Sequence, residues 1–158
     1  MLSYDKSITT ITRKGSKLMI SGTPDDSNMN SFINHISNEG IQHVVRLCGP
    51  TYDHTHFMRY NIKFYDWEYP DGSNPTPELV NMWTTLVKLN EPVLVHCHAG
   101  LGRSPLLATI YLIEKRMDQY DAIEYIRKER PQSLNTKQIK WLSTYKPIKT
   151  SLFKKIFG

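Results

Sequence analysis

The side chains best suited to chemistry lie in one short segment, residues 96–104 (the Cys97 loop), which reads His-Cys-His-Ala-Gly-Leu-Gly-Arg-Ser. Within it, Arg103 follows Cys97 after five intervening residues. A thiolate is a strong nucleophile, and a guanidinium binds two phosphate oxygens through paired hydrogen bonds. We expect Gly100 and Gly102 to adopt positive φ angles, so that backbone N–H groups turn inward and form an anion nest. The segment therefore predicts a loop that binds a phosphate ester and attacks it with sulfur.

The side chains of the Cys97 loop predict a division of roles. Positive surroundings should lower the pKa of the nucleophile from the ~8.5 of a free thiol to roughly 3.5–7.5. His96 is expected to support the loop by bonding to backbone near the cysteine, and the alternative is a plain core position. Ser104 either donates its hydroxyl to the sulfur, which helps the thiolate leave, or only begins a helix. The phosphate is expected to contact the residues His98, Ala99, Gly100, Leu101, Gly102 and Arg103.

A phosphate ester also needs a proton donor for its leaving oxygen, and residues 66–72 contain three acids. This segment follows a predicted strand and is rich in turn residues, so it suits a loop that closes over substrate. We choose Asp71, between a proline and a glycine, as the general acid. Asp66, at the end of the strand, is expected to anchor the loop, and Glu68 is the other rival. The alternative for Asp71 is an ordinary Asp-Gly turn.

Strands and helices alternate along the chain and would position these residues. The apolar segment 93–96 predicts a strand that runs into the Cys97 loop, and a helix is expected to begin at Arg103. Further strands are predicted at 17–21, 42–48 and 62–65. Gly40 predicts the end of one further helix, and Thr76-Pro77 predicts the start of another. Asp118 and Asn135 are expected to cap two more helices, because Asp121 and Gln138 follow them three residues later, as in capping boxes. The predicted buried faces are Met29, Phe32, Ile33 and Ile36; Leu79, Trp83 and Leu86; and Leu106, Ile110, Ile113 and Met117.

This pattern predicts an α/β fold, with a small central mostly parallel sheet flanked by helices in three layers. The Cys97 loop is expected at the carboxyl end of a strand. The 158 residues fit one domain, taken as residues 1–158, and neither a repeat nor a linker divides them.

The composition limits the class of protein and its partners. The two cysteines, Cys48 and Cys97, make no disulfide framework and are expected to remain thiols in a reducing compartment. No apolar run approaches the ~20 residues needed to span a bilayer, and residues 1–6 do not resemble a signal peptide, so a cytoplasmic location is expected. The net charge of +5 favours anionic partners.

Two other classes of site are not expected. Nucleic-acid binding has only the net charge in its favour, because the aromatic residues are expected in the core or at the rim of the site. These are Trp67, Tyr69, Trp83 and Trp141. The candidate metal ligands are His54 and His56 together with the histidines and cysteine of the Cys97 loop. Three adjacent side chains do not converge on one tetrahedral ion, so we expect neither a metal nor an organic cofactor.

The signature His96-Cys97, Gly100 and Arg103-Ser104 resembles that of the protein tyrosine phosphatase superfamily, which includes the dual-specificity enzymes. Further segments narrow the resemblance to the phosphatases of regenerating liver, and it runs from Leu18 to Pro147. These segments are Val45-Arg46-Leu47-Cys48, Thr51-Tyr52-Asp53, Asp66-Trp67, Asp71-Gly72, Ala99 to Arg103 with Pro105, Asn135-Thr136-Lys137-Gln138 and Tyr145-Lys146-Pro147.

The resemblance implies a fold, an activity and roles for individual residues. Cys97 would be the nucleophile that forms a phosphocysteine, Arg103 the phosphate binder and Asp71 the general acid. Cys48 corresponds to a second cysteine that can form a disulfide with the nucleophile in the family, and its alternative is a small buried thiol. The substrate would be a phosphoprotein, with phosphotyrosine favoured and phosphoserine or phosphothreonine also open.

Three features depart from the family's pattern. Ser104 stands where members commonly have alanine, so we predict a more competent phosphatase. The segment 154–158 carries no cysteine for prenylation, and at most weak peripheral contact with anionic lipid is expected from it. Family members also bind CBS-domain magnesium-transport mediators, but one arginine of the basic pair at that surface is replaced in Arg130-Pro131, which makes this partner a weak expectation.

Two alternatives stay open at this point. The substrate could be a phosphoinositide or an RNA 5′-phosphate, although lipid-directed relatives often carry lysines inside the loop and this loop has none. The chain could also be a low-turnover protein of the same fold that acts mainly by binding a transporter-type partner.

Overall fold

The computed structural model describes residues 8–147 of the chain, which form one mixed sheet with helices on both faces. The predicted tail 154–158 and the N-terminal residues 1–6 lie outside the described residues. In chain order the elements are β1 Thr9–Arg13, β2 Ser16–Ser21, α1 Met29–Asn38, β3 His43–Arg46, a 3-10 helix His54–Tyr60, β4 Lys63–Asp66, α2 Pro77–Val87, β5 Val93–His96, α3 Arg103–Glu114, α4 Gln119–Glu129 and α5 Thr136–Thr144.

The sheet has the strand order β1-β2-β5-β3-β4. Only the β1–β2 pair is antiparallel, whereas β2, β5, β3 and β4 pair in parallel, which confirms the predicted mostly parallel sheet. Lys14 and Gly15, both at positive φ, form the tight turn between β1 and β2. Strand β1 was not predicted, because Ile11 is the one fully buried residue of this threonine-rich edge strand and the apolar signal is weak.

Two hydrophobic cores lie on the two faces of the sheet, which confirms the predicted three layers. Strands β3 and β5 are buried at every position, as expected for strands covered on both sides. The smaller core packs α1 and the 3-10 helix on one face, around Phe32 and Phe57. The larger core packs helices α2 to α5 on the other, around Trp83, whose indole N–H donates to the carbonyl of Leu107 at 2.8 Å.

The helix ends follow the capping residues seen in the sequence. The Thr76 hydroxyl accepts from the amide of Leu79, with Pro77 as the first helical residue of α2. The Asn135 side chain and Gln138 form a reciprocal capping box at the start of α5. Asp118 caps α4 by accepting from two amides, but no returning bond from Asp121 is present among the described contacts.

Helix α3 differs from the amphipathic helix that the sequence predicts. Its residues from Arg103 to Ile113 are all buried, because the helix lies between the sheet and the helices α2, α4 and α5. Met117, predicted on the same face, falls beyond the helix and packs on the core from the following turn. Among the described residues, no helix is both long and apolar enough to cross a membrane.

Candidate active site

The Cys97 loop joins the end of β5 to the start of α3. The loop is held on both sides by backbone hydrogen bonds: the amide of Leu47 donates to the carbonyl of His96, and the amide of Thr23 donates to the carbonyl of His98, both at 2.9 Å. The carboxyl ends of the parallel strands β2, β5 and β3 therefore surround it. A helix N-terminus behind such a loop offers unpaired N–H groups and a positive dipole end to an anion.

Cys97 and Ser104 meet at the base of the loop. The Cys97 thiol is 2% exposed, and its sulfur lies 3.0 Å from the Ser104 hydroxyl oxygen, which is itself fully buried. The hydroxyl can thus donate to a thiolate, as one of the two sequence interpretations of Ser104 requires. The same residue also lies in the first turn of α3, so both interpretations hold for its position.

Arg103 is held with one side of its guanidinium bound to backbone. Its Nη1 donates to the carbonyls of Leu47 and Tyr69, each at 3.0 Å, and the side chain is 8% exposed. Its Nε has no hydrogen-bond partner among residues 8–147 and lies 3.6 Å from Oδ1 of Asp71. A fixed guanidinium with a donor left over suits the binding of an oxyanion.

Of the three acids in segment 66–72, Asp71 is the one that lies beside Arg103. Its side chain is 77% exposed. Asp66 instead makes a two-pronged bond with Arg46, at 2.8 and 3.1 Å, so it has the anchoring role expected of it. Glu68 is directed toward Gly49. Asp71 also occupies a turn, in which the amide of Ser73 donates to the carbonyl of residue 70.

His96 is fully buried below the loop and contacts both Cys97 and Tyr52. Its Nε2 lies 2.6 Å from the Tyr52 hydroxyl, and its Nδ1 lies 3.3 Å from the Cys97 carbonyl oxygen. A carbonyl only accepts, so Nδ1 carries the proton and Nε2 accepts from the tyrosine. Burial lowers the pKa of His96 to about 4, which keeps the ring neutral. This geometry agrees with the predicted supporting role.

A buried arginine extends this network across the sheet. The Arg46 guanidinium stacks on the rings of Tyr52 and Phe64, with centroid distances of 5.0 and 4.9 Å. Its paired bonds to Asp66 raise the pKa of Arg46 and lower the pKa of that carboxyl. Tyr52 and Arg46 were not predicted as site residues, and the one sequence signal for them was their place in segments that resemble the phosphatase family.

The two glycines of the loop differ in conformation. Gly100 has a φ of +74°, as predicted, and a Cβ there would come within 2.9 Å of the Ser21 carbonyl oxygen. The same expectation was wrong for Gly102, whose φ is −128°, because it is the residue that caps α3. A Cβ on Gly102 would meet only ordinary contacts, at 3.4 Å from Gln138 and 3.6 Å from Asp71. Of the other predicted contact residues, His98 and Ala99 are exposed and Leu101 is half-buried.

The back of the loop rests on residues 130–138, which the sequence analysis did not assign to the site. Arg130 donates to the Gly100 carbonyl, and the amide of Leu134 donates to the Leu101 carbonyl at 2.8 Å. Gln138 is 1% exposed and packs on the loop at Gly102. Its Nε2 has no hydrogen-bond partner among the described residues.

Cys48 lies just past the end of β3 and is buried, with 3% exposure. Burial raises the pKa of its thiol, and Thr23 partly offsets this through a side-chain hydrogen bond. Cys48 and Cys97 are both free thiols. Within residues 8–147, no group of three or more histidine, cysteine or acidic side chains is arranged to hold a metal ion.

Comparison with known proteins agrees with this geometry. The family profile "Dual specificity phosphatase, catalytic domain" matches residues 26–148. Protein tyrosine phosphatase type IVA 3 from Mus musculus is 38% identical over 144 residues, which covers 87% of this chain and 83% of that protein. The Homo sapiens protein of the same name is 36% identical over 150 residues, covering 91% and 87%.

A solved structure gives the same result for the fold. A protein tyrosine phosphatase from Leishmania major superposes with a TM-score of 0.81 at 31% identity, covering 88% of this chain and 98% of that one. The chain therefore belongs to the dual specificity phosphatase catalytic-domain family, within the cysteine-dependent protein tyrosine phosphatases and among the relatives of type IVA.

Proposed function

We propose that this phosphatase hydrolyses phosphotyrosine in proteins through a phosphocysteine intermediate, with Cys97 as nucleophile, Arg103 as phosphate binder and Asp71 as general acid. One observation carries the proposal. At the end of β5 the Cys97 sulfur lies 3.0 Å from the Ser104 hydroxyl, and the Arg103 Nε lies 3.6 Å from Asp71. A nucleophile and a cation on the Cys97 loop thus lie beside an acid from the segment 66–72.

In the first step, the Cys97 thiolate attacks phosphorus and the bond to the leaving oxygen breaks. The spare donors of Arg103 and the loop amides would hold the three phosphoryl oxygens, where charge accumulates. Asp71 gives its proton to the leaving tyrosine oxygen. Its exposed position beside Arg103 supports this role, because the leaving group must depart toward solvent.

In the second step, a water attacks the phosphocysteine and gives its proton to the Asp71 carboxylate. The new P–O bond releases inorganic phosphate, and the electrons of the P–S bond return to sulfur. The Ser104 hydroxyl would stabilise the returning thiolate by a hydrogen bond. No other reactant is needed for the cycle.

The chemistry of the loop favours protein substrates over phosphoinositides. Residues 98–102 contribute no lysine for additional phosphates, and the exposed His98 stands at the rim. We take the chain as a single catalytic domain and place it in the cytoplasm, since a reducing compartment keeps Cys97 a thiol.

Two further features remain part of the proposal. A disulfide between Cys48 and Cys97 would switch the enzyme off, and burial of both thiols beside the same loop supports it. The CBS-domain partner has only the family resemblance behind it. Arg130, expected at that surface, is instead bonded to Gly100.

The proposed roles predict a dependence on the leaving group. Phosphate release from a phosphotyrosine peptide under reductant should disappear in Cys97→Ser. Asp71→Asn should lose roughly 10²- to 10⁴-fold in kcat on that peptide, the usual worth of general acid catalysis. The loss should be much smaller on p-nitrophenyl phosphate, whose leaving group needs no proton.

Glu68→Gln is the matched control, since it removes an acid from the same segment but not from beside Arg103, and it should turn over like wild type. Equal losses on the two substrates in Asp71→Asn would contradict the acid role. No turnover by folded, reduced wild type on either substrate would contradict the phosphotyrosine assignment.

A further inference from the structure

Arg130 reaches the Cys97 loop from the far end of α4. Its Nε donates to the carbonyl of Gly100, and its Nη1 lies 3.0 Å from the Thr9 hydroxyl and 3.5 Å from the carbonyl of Ile20. One guanidinium thus ties the middle of the loop to both strands of the β1–β2 hairpin. The proposed catalytic steps do not involve the Arg130 side chain.

The contact between Arg130 and the loop is closely packed. Gly100 lacks a Cβ at the point of contact, and a Cβ there would overlap the Arg130 Nη2 atom. The arginine itself is held from behind, because the amide of Ser133 donates to its carbonyl at 3.3 Å and the serine hydroxyl does so at 2.6 Å. The neighbouring bond from the Leu134 amide to the Leu101 carbonyl, at 2.8 Å, fixes the next peptide of the loop in the same way.

Fixing these carbonyls matters because an anion nest needs its N–H groups directed inward. A peptide whose carbonyl turned inward would present a negative dipole to the phosphate and remove one donor. The bond from Arg130 holds the Gly100 carbonyl against the β1–β2 hairpin and excludes that orientation. A guanidinium suits this task, since it donates in several fixed directions at once.

Arg130 also adds positive charge behind the nucleophile. Burial lowers the pKa of its guanidinium, and the negative charge of the Cys97 thiolate acts in the opposite sense. The Cys97 thiolate also acts on Cys48 and Tyr69. Burial, as the largest cause, and this negative charge both raise their pKa values, so both groups stay neutral near pH 7. Asp71 lies on the far side, against Arg103.

We propose that Arg130 is a positioning residue of the phosphatase site, which holds the Gly100 carbonyl out of the anion nest and stabilises the Cys97 thiolate. The inference rests on the proposed function of the Cys97 loop and deepens it. Arg130 acts through the loop and does not itself touch the substrate.

The test measures the thiolate directly and turnover separately. In the reduced full chain, the rate of iodoacetamide alkylation at Cys97 is measured by mass spectrometry from pH 4 to pH 9. Its pH dependence gives the midpoint for thiolate formation. Arg130→Gln should raise this midpoint and lower kcat/KM at least ~10-fold, with KM affected more than in an Asp71 variant. Arg130→Lys keeps the charge, so its midpoint should stay near that of wild type while kcat/KM still falls.

Arg127→Gln is the matched control, because it removes the same charge from an exposed position in the last turn of α4. It should match wild type in both measurements. A folded Arg130→Gln with the midpoint and kcat/KM of Arg127→Gln would overturn the proposal, as would a variant that loses only thermal stability.

If Arg130→Gln does not fold, Arg130→Lys decides, and wild-type kcat/KM in that variant overturns the positioning role. The alkylation midpoint needs no turnover, so a wild type that fails on every phosphate ester but shows the shift in Arg130→Gln would contradict the proposed function alone.

Discussion

Among single residues, Ser104 has the most specific environment. Its hydroxyl is fully buried and lies 3.0 Å from the Cys97 sulfur, in the first turn of α3. A hydroxyl forms only a weak hydrogen bond with a neutral thiol, but it donates a stronger, charge-assisted hydrogen bond to a thiolate. We therefore expect this residue to act mainly when sulfur carries negative charge, which is the state in which sulfur would leave phosphorus in the proposed second step.

Replacing Ser104 with alanine should slow the second step selectively. Loss of a hydrogen bond to a charged group corresponds to a decrease of roughly 10- to 100-fold in kcat. The value of kcat/KM reports the first step and should change far less. Rapid-mixing kinetics should then show a burst of released phenol followed by slow turnover. Equal decreases in kcat and kcat/KM without a burst would contradict this role.

At the level of elements, the Cys97 loop is defined by the strand before it and the helix after it. Strand β5 is central in the sheet and buried throughout, and α3 is buried from its first residue. The loop ends are therefore fixed by the core, and the six residues 97–102 must turn between them. Only Gly100 among these lies in the left-handed region.

The two loop glycines should respond differently to alanine. Gly100→Ala combines a left-handed φ with overlap at Arg130 and the Ser21 carbonyl, so it should cost about 2–4 kcal/mol of unfolding free energy and most of the activity. Gly102→Ala has φ −128° and no contact shorter than 3.4 Å, so its cost should stay below about 1 kcal/mol.

Urea unfolding of the two variants, measured beside wild type, checks this difference. Comparable losses of unfolding free energy in Gly100→Ala and Gly102→Ala would show that the loop conformation is not what makes glycine necessary at position 100.

For the whole molecule, a chain of polar side chains links three parallel strands below the Cys97 loop. It runs from the buried His96 at the end of β5 through Tyr52, which follows β3, and Arg46 of β3 to the half-exposed Asp66 at the end of β4. Because these residues come from distant parts of the chain, the network exists only in the folded state. Its titration therefore contributes to global stability.

The pH dependence of unfolding should show this network. The pKa of His96 falls from 6.5 unfolded to about 4 folded, so the unfolded chain binds more protons between these values. Stability from the neutral ring is complete above about pH 6.5 and is lost as pH falls toward 4, on the order of 2 kcal/mol by pH 4.5. The lowered pKa of Asp66 adds a further loss at still lower pH.

His96→Asn is the comparison variant, because an amide N–H can still donate to the Cys97 carbonyl but does not titrate. Urea unfolding at pH 7, 5.5 and 4.5 should show the wild type losing more stability than this variant. Parallel pH profiles would contradict the assignment of a neutral buried His96.

Local signals in the sequence were sufficient to predict much of the fold and to propose the reacting groups. The spacing of Cys97 and Arg103, with Gly100 between them, predicted the anion-binding loop, since such a loop is built from consecutive residues. Thr76 and Asn135 marked two helix starts, because a cap acts within one turn. Apolar runs predicted the central strands, because a run is also a local signal, whereas the threonine-rich β1 lacks such a run.

Only the tertiary structure decided which distant residues complete the site. It brings Asp71, rather than Asp66, to Arg103, and it brings Tyr52 to His96 and Arg130 to Gly100. These contacts join residues 30 to 44 positions apart. They follow from strand order and helix packing, which no periodic pattern in the sequence predicts. The sequence by itself therefore determined the residues proposed to react, and the fold determined the partners that hold them in place.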